Sequence, residues 1–216
     1  MKLVDGIWLP DEEKHFPEWW NSPKNKEFID GKATYQIRKL RAAMEYVKQF
    51  RVAIDCGGHI GTWSMHLAKR FQTLHAFEPV AAFRECFLKN VEAKNVLLYP
   101  VALGAQNGSV AMHIDPADTG GTHVACDGDI EMRTLDEFDF ADVDFLKIDC
   151  EGYEHHVVAG ARETLLRCRP CVIVEQKQHI MGRNFGLKGT PAVDILKILG
   201  ARVVREISGD YIMVFE

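Results

Sequence analysis

From Val52 onward, the chain alternates short apolar runs with segments of helical periodicity. The apolar runs predict strands, and they read VAID, TLHAF, NVLLYPVAL, VDFLKID and CVIVEQ, at residues 52–55, 73–77, 95–103, 143–149 and 171–176. The helical segments span about residues 62–70, 81–93, 154–168 and 191–199. Because parallel strands need crossover connections, this order predicts one α/β domain with a mostly parallel sheet and helices on both faces.

The two ends of the chain differ from this repeating pattern. Residues 201–207 and 211–216 are apolar runs around the turn Ser208-Gly209-Asp210, and they predict an antiparallel hairpin at the end of the sheet. Such a hairpin is typical of methyltransferase-type Rossmann-like folds rather than of dehydrogenases. Residues 1–34 look irregular, and residues 35–50 predict one amphipathic helix. We therefore expect an N-terminal extension, residues 1–50, packed on a domain that spans residues 51–216.

Composition excludes some classes of function. The 216 residues carry a formal net charge of −5, which argues against a broad basic face for nucleic acid. No run approaches the ~18 apolar residues of a membrane span, and the N-terminus carries charges where a signal peptide would be apolar. The six cysteines are scattered, as reduced core thiols are. These features predict a cytoplasmic protein and argue against a nucleic-acid partner.

The most informative motif is Asp55-Cys56-Gly57-Gly58-His59-Ile60-Gly61, between the first strand and the next helix. Open α/β sheets bind ligands at this crevice, and glycines there allow a sharp bend and a close approach. A dinucleotide would favour G-x-G-x-x-G, and an acid at the strand end repels a pyrophosphate. We therefore predict that Asp55, Gly57, Gly58 and Gly61 bind S-adenosylmethionine, which is cationic and has no phosphate.

Two further features suit a nucleoside. Glu78 ends the second strand, where an acid can accept hydrogen bonds from ribose hydroxyls, although a solvated strand end would look the same. Nicotinamide cofactors use the same acid, so Glu78 does not choose between cofactors. Ala102 lies in the small apolar stretch 101–104, which could flank an adenine ring or form an ordinary core strand.

Charged residues follow the fourth and fifth strands. Lys147, Asp149 and Glu151 end the fourth strand, where burial is costly unless the groups are paired or used. They are candidates for substrate binding or proton removal, and Lys147 could instead pair with a carboxylate to hold the loop. Glu175 ends the fifth strand and His179 follows in the predicted loop. His179 is a candidate general base, unless it is merely solvated.

A metal site is the alternative use of these residues. Asp149, Glu151, Glu175 and His179 carry the oxygen and imidazole groups that bind divalent cations. Their spacing is not a recognised metal signature, and the C-x-x-C at residues 168–171 has no second pair. We therefore assign no metal to the site.

The motifs resemble the FkbM family of methyltransferases over about residues 50–215. The resemblance rests on VAIDCGGHIGTWS, HAFEP, NVLLYPVALG, RTLDEF, VDFLKIDCEGYEHHVVAGARETLLRCRPCVIVEQ and GDYIMVFE. It implies a seven-stranded class I methyltransferase fold, use of S-adenosylmethionine, the glycine turn as cofactor loop and Glu78 as the ribose-binding acid. Residues 147–154 match the family's K-I-D-x-E-G-x-E signature. Family members often have Ala-Asn where this chain has Gly58-His59.

Family members generally methylate hydroxyls of sugars or secondary metabolites, and some act on nitrogen. The resemblance therefore implies O-methylation of a small molecule or sugar. Alternatives are N-methylation of a peptide side chain or base, and a nucleotide-cofactor oxidoreductase on a similar sheet. Asp149 or His179 would be the base, with Glu151 as its orienting partner. We expect the N-terminal 50 residues and the loop 115–129 to shape acceptor specificity.

Overall fold

The computed structural model describes residues 1–215. The strands are β1 (Lys2–Val4), β2 (Ile7–Leu9), β3 (Phe28–Ile29), β4 (Lys32–Ala33), β5 (Val52–Cys56), β6 (Thr73–Phe77), β7 (Val96–Tyr99), β8 (Ala102–Leu103), β9 (Gly108–Val110), β10 (Met112–His113), β11 (His123–Val124), β12 (Ile130–Arg133), β13 (Val143–Ile148), β14 (Cys171–Glu175), β15 (Ala201–Ile207) and β16 (Asp210–Phe215). The helices are α1 (His15–Asn21), α2 (Ile37–Met44), α3 (Ser64–Leu67), α4 (Ala81–Asn90), α5 (Glu154–Ala159), α6 (Arg162–Cys168), α7 (Gln178–Phe185) and α8 (Pro191–Ile198).

Seven strands form the central sheet, in the order β15-β16-β14-β13-β5-β6-β7. The five strands from β14 to β7 run parallel to their neighbours, whereas β16 is antiparallel to both β14 and β15. The carboxyl ends of β5, β6, β13 and β14 therefore meet at one edge of the sheet. The predicted α/β fold, parallel sheet and C-terminal hairpin are confirmed.

The predicted third strand, residues 95–103, is wrong in its extent. Its first half, β7, stays in the central sheet, while its second half, β8, pairs with β12 in a separate three-stranded sheet. Pro100 lies between the two halves. Proline has no N–H to donate to a strand ladder, so the strand ends there.

The predicted helix 154–168 is two helices, α5 and α6, which Gly160 and Ala161 separate. A Cβ at Gly160 would collide with the backbone carbonyl of Gly104. Because glycine also weakens a helix interior, the helix breaks at Gly160, where its backbone contacts that of Gly104. The predicted helices 35–50 and 62–70 are shorter than expected, because only α2 and α3 within them are α-helical.

Residues 1–34 are more regular than predicted, since they contain the hairpins β1–β2 and β3–β4 and the helix α1. Ile7, Leu9 and Trp20 are completely buried in the same apolar core as residues of the central sheet. The N–H of Trp8 donates to Asn90 Oδ1 at 2.7 Å, and Asn90 Nδ2 donates to the Trp8 carbonyl at 2.9 Å. The N-terminal residues are therefore fastened to α4 and the sheet.

Two of the expectations from composition concern membrane spans and the cysteines. The longest helix within residues 1–215 has ten residues, and no helix there is long and apolar enough to cross a bilayer. The six cysteines are free thiols, and Cys56, Cys86 and Cys171 are buried among core side chains.

Candidate active site

An open cavity of about 910 Å³, part of it solvent, lies at the carboxyl edge of the sheet. Its walls are the glycine turn after β5, the end of β6 and the turn after β13. Residues of the N-terminal segment and of the loop 115–124 cover it. This is the position at which open α/β sheets bind their ligands.

The glycine turn is held tightly against its neighbours. The N–H groups of Gly57 and Gly58 donate to the Phe77 carbonyl at 3.2 and 2.9 Å, which ties the turn to β6. Gly57 has a φ of +83°, and a Cβ there would collide with the Asp149 carbonyl. Gly57 and Gly58 line the cavity, whereas Gly61 (φ +87°) packs against α4 and does not. The motif thus brings three strand ends together around the cavity.

Glu78 lines the cavity at the end of β6 and is 4% exposed. Its Oε2 accepts the N–H of His59 at 2.8 Å, and its Oε1 accepts the N–H of Val80 at 2.7 Å. Burial raises the pKa of this carboxyl to about 7, although the two N–H groups oppose the rise. The carboxyl is therefore fixed in place, and each oxygen retains a lone pair for a ligand hydroxyl.

Apolar side chains line the cavity next to Glu78. Val101, Ala102 and Leu103 are each about nineteen-twentieths buried, and they line the same cavity as Phe83 of α4. Flat aromatic ligands bind between such surfaces. Ala102 lies where the sequence predicts it, although it belongs to β8 and not to the central sheet.

Asp55 does not face the cavity, contrary to the expectation that it contacts the ligand. Its side chain is completely buried: Oδ2 accepts the hydroxyl of Ser64 at 2.7 Å, and Oδ1 lies 3.1 Å from Lys147 Nζ. Lys147 also donates to the Gly57 carbonyl at 3.1 Å. Asp55 and Lys147 therefore hold the glycine turn. Lys147 compensates the negative charge of Asp55, which the sequence predicts to bind the ligand.

A cluster of carboxylates lies after β13 and β14. Asp149, Glu151 and Glu175 each place an oxygen within 4.8 Å of the others, and the first two line the cavity. Burial raises the pKa of Asp149, but the charges of Lys147 and Lys177 outweigh it and lower that pKa overall. Burial and the two neighbouring carboxylates raise the pKa of Glu151 to about 9. At neutral pH, Asp149 is therefore ionised and Glu151 holds a proton.

The turn that presents Glu151 is organised by Glu154, which is 1% exposed. Glu154 Oε1 accepts the N–H groups of Cys150 at 3.0 Å and Gly152 at 2.9 Å. Its Oε2 accepts Gln176 Nε2 at 3.2 Å, which links the turn to the end of β14. Glu154 thus shapes the site without lining it.

His179 lies apart from the other predicted site residues. It belongs to α7 rather than to a loop, it is exposed, and it does not line the cavity. The structure therefore does not bring His179 together with Asp149 or Glu151. Without His179, the spacing of Asp149, Glu151 and Glu175 is still compatible with a divalent cation. However, Lys147 Nζ lies 3.8 Å from Asp149, and Lys177 contacts Glu175. Two positive charges thus already stand where a cation would bind.

The cover over the cavity includes residues that sequence reasoning missed. The His59 ring stacks on Phe16 with centroids 5.2 Å apart, and its Nε2 lies 3.0 Å from Thr119 Oγ1. Glu13 is completely buried and accepts both the N–H of Thr119, at 2.7 Å, and its hydroxyl. Because that hydroxyl donates to Glu13, it accepts its second hydrogen bond from His59.

The His59 ring is neutral in this setting. Burial and the charge of Lys147 lower the pKa of His59 to about 3. The contact from Glu13 to Thr119 joins residues 106 positions apart, and no local sequence pattern indicates it. The N-terminal segment and the loop therefore close over the glycine turn as one unit.

A seven-stranded sheet of this order, with its cavity beside the first glycine turn, defines the protein as one with a methyltransferase-type Rossmann-like fold. Residues 55–203 match the FkbM methyltransferase domain, and the chain belongs to this family. The resemblance seen in the sequence motifs is thereby confirmed.

Solved structures show the same fold. An FkbM methyltransferase from Methylobacillus flagellatus KT is 17% identical, with a TM-score of 0.52 over 77% of this chain and 44% of that chain. The chain thus spans less than half the length of that relative. The fibrillarin pre-rRNA processing protein of Methanococcus jannaschii is 13% identical, with a TM-score of 0.51 over 82% of this chain and 73% of that chain. Among curated proteins, none matches the chain.

Proposed function

We propose that the chain is an S-adenosylmethionine-dependent methyltransferase that methylates a hydroxyl of a small molecule or sugar. The observation that carries the proposal is the placement of Glu78 and Asp149 in one cavity, on strands that flank β5 on either side. The Glu78 carboxyl can bind the ribose of a nucleoside, and the Asp149 carboxylate can take a proton from the reacting group. Membership of the FkbM methyltransferase family supports the same reaction class.

The residues of the cavity fit this cofactor. Glu78 can accept hydrogen bonds from ribose hydroxyls, and Phe83 with the apolar residues 101–103 can enclose an adenine ring. Asp149, which is ionised at neutral pH, gives the other side of the cavity a negative charge that suits a ligand with a sulfonium group. When bound, S-adenosylmethionine supplies a methyl group already activated on a positively charged sulfur.

Asp149 is the group that we assign to the proton. Its lowered pKa keeps it ionised, so it can accept a hydrogen bond from the acceptor hydroxyl and orient that oxygen. It takes the proton as the carbon–oxygen bond forms and the carbon–sulfur bond breaks. Glu151, protonated at neutral pH, can donate to Asp149 and fix its orientation. Phe16, Tyr35 and Thr119 line this side of the cavity and limit the access of water to the reaction.

The experiment that tests the proposal uses the full chain with methyl-labelled S-adenosylmethionine and a panel of hydroxyl and amine acceptors. We expect label in a hydroxyl product, and at least about a hundredfold loss of that product in Asp149→Asn. Asp139→Asn, which removes an exposed carboxylate outside the lining of the cavity, is the matched control and should behave as wild type. Label found only on amines would overturn the hydroxyl assignment, and no transfer to any acceptor would count against the reaction.

A further inference from the structure

A second cavity lies beside the first, at the same edge of the central sheet. It encloses about 1260 Å³, part of it solvent, between the N-terminal segment, the start of α2 and the ends of β14 and β15. Tyr35 lines both cavities, so the two adjoin at this side chain. Tyr35 is therefore the wall residue between the second cavity and the one that Asp149 and Glu151 line.

The lining of the second cavity is strongly basic. Its cationic side chains are Lys24, Lys26, Arg38, Lys39 and Lys177, and, within residues 1–215, its one carboxylate is that of Glu27. Several are compensated: Lys39 pairs with Asp210 at 2.6 Å, Lys177 with Glu175, and Glu27 with Arg41 at 2.5 Å.

Three cations remain without a carboxylate partner among residues 1–215, namely Lys24, Lys26 and Arg38. All three are exposed at the mouth of the cavity. Compensation elsewhere in the lining leaves this mouth with an excess of positive charge. That excess suits a ligand that carries more than one negative charge.

The start of α2 adds to this positive character. Ile37 and Arg38, its first residues, line the cavity. No side chain caps the helix, and its first turn has no acidic residue. The N–H of Lys39 already donates to the Gln36 carbonyl at 2.9 Å. The N–H groups of Ile37 and Arg38 are therefore the ones available to an anion, whose charge the helix dipole also favours.

The remaining walls suit a ring, and they determine which way it extends. Trp19 packs on Tyr35 with ring centroids 4.5 Å apart, and both line the cavity. Tyr35 lies close enough to Asp149 and Glu175 for their charges, after burial, to raise its pKa. Trp19 and Tyr35 thus offer a ring an aromatic surface on the side of the cavity that faces the carboxylate cluster.

We propose that the second cavity is the acceptor site and that it recognises a phosphate group, so that the acceptor is a phosphorylated small molecule such as a sugar phosphate. Lys24, Lys26, Arg38 and the start of α2 hold the phosphate, and the free hydroxyl points past Tyr35 to Asp149. The reaction at that hydroxyl rests on the proposed function, whereas the phosphate site itself does not.

Calorimetry on the full chain tests this with glucose 6-phosphate, glucose and inorganic phosphate as probes, in the presence of S-adenosylhomocysteine. We expect glucose 6-phosphate to bind at least about tenfold more tightly than either of the others, with affinity that falls as salt rises. Lys26→Gln and Arg38→Gln, both exposed, should each weaken it by about tenfold. Lys94→Gln, exposed on another face, is the matched control.

The other outcomes either contradict the phosphate site or show that the proposed function is wrong. Equal affinity for glucose and glucose 6-phosphate, or unchanged affinity in Arg38→Gln, would overturn it. Inorganic phosphate binding as tightly as glucose 6-phosphate would mean a free-phosphate site and not an acceptor site. If S-adenosylhomocysteine fails to bind the wild type, the proposed function fails, and the probe titrations without it still decide the phosphate site.

Discussion

Lys147 Nζ lies 3.1 Å from Asp55 Oδ1, and the two side chains are 5% and 0% exposed. The residues are register partners on the adjacent parallel strands β13 and β5. The same ammonium group donates to the Gly57 carbonyl. One buried ion pair thus joins the two strands that present the glycine turn and the catalytic candidates, and it holds Asp55 outside the lining of the cavity.

Removal of this lysine should destabilise the protein. Lys147→Met leaves the Asp55 carboxylate buried without its cation, which costs about 3–5 kcal/mol of the free energy of unfolding. The double variant with Asp55→Asn should recover part of the loss, because the uncompensated charge is gone. Urea unfolding measures both. Lys197→Met, which breaks an exposed pair with Asp194, is the control and should cost less than about 1 kcal/mol. A Lys147→Met variant as stable as this control would contradict the structural role of the pair.

Glu78→Gln should weaken binding of S-adenosylhomocysteine by about tenfold or more, because an amide offers ribose hydroxyls one acceptor oxygen instead of two. Calorimetry gives the affinity, and thermal unfolding verifies that the variant folds. Glu85→Gln, an exposed change on α4, should bind as wild type does. Unchanged affinity in a folded Glu78→Gln variant would remove Glu78 from the cofactor site.

Asp149→Asn separates chemistry from binding. We expect turnover to fall by about a hundredfold or more while the affinity for S-adenosylhomocysteine, which lacks the sulfonium charge, changes by less than about threefold. Steady-state kinetics and calorimetry on the same preparation make the comparison. Equal losses in turnover and affinity would indicate that Asp149 binds the cofactor and does not take the proton.

Glu151 should make the ligand-free protein less stable as pH rises. Its pKa is raised in the folded protein from 4.5 to about 9, so the folded state binds this proton more tightly than the unfolded state does. The stability contributed by the protonated carboxyl is therefore complete below pH 4.5 and is lost as the pH rises toward 9.

Glu151→Gln removes that dependence, because the amide does not titrate. Its melting temperature should match that of the wild type near pH 4.5 and exceed it by at least about 2–4 °C near pH 9. Glu92→Gln is an exposed control that should keep the wild-type pH dependence. A Glu151→Gln variant that loses stability with pH as steeply as wild type would contradict the raised pKa.

The sequence predicts those parts of the fold that local patterns determine. Strands β5, β6, β13 and β14 are short apolar runs, each buried on both sides, and their order along the chain implies the parallel sheet. The sequence does not predict the break between β7 and β8 at Pro100, because the apolar residues on both sides of the proline look like one continuous strand.

Contacts between distant segments could not be predicted in this way. The glycine motif shows that Asp55 ends a strand but not that Lys147, on a neighbouring strand, takes its charge. The position of Asp149 and Glu151 at the cavity is predictable, because both follow a buried strand. His179 was misplaced because its position depends on where α7 begins. The cover formed through Glu13 and Thr119 depends on tertiary packing alone.

Titration of the full chain with S-adenosylhomocysteine in a calorimeter, followed by NADH in a second run, tests the central claim most directly. The account predicts saturable binding of one S-adenosylhomocysteine per chain and no heat from NADH. Absence of S-adenosylhomocysteine binding, or saturable binding of NADH, would contradict it.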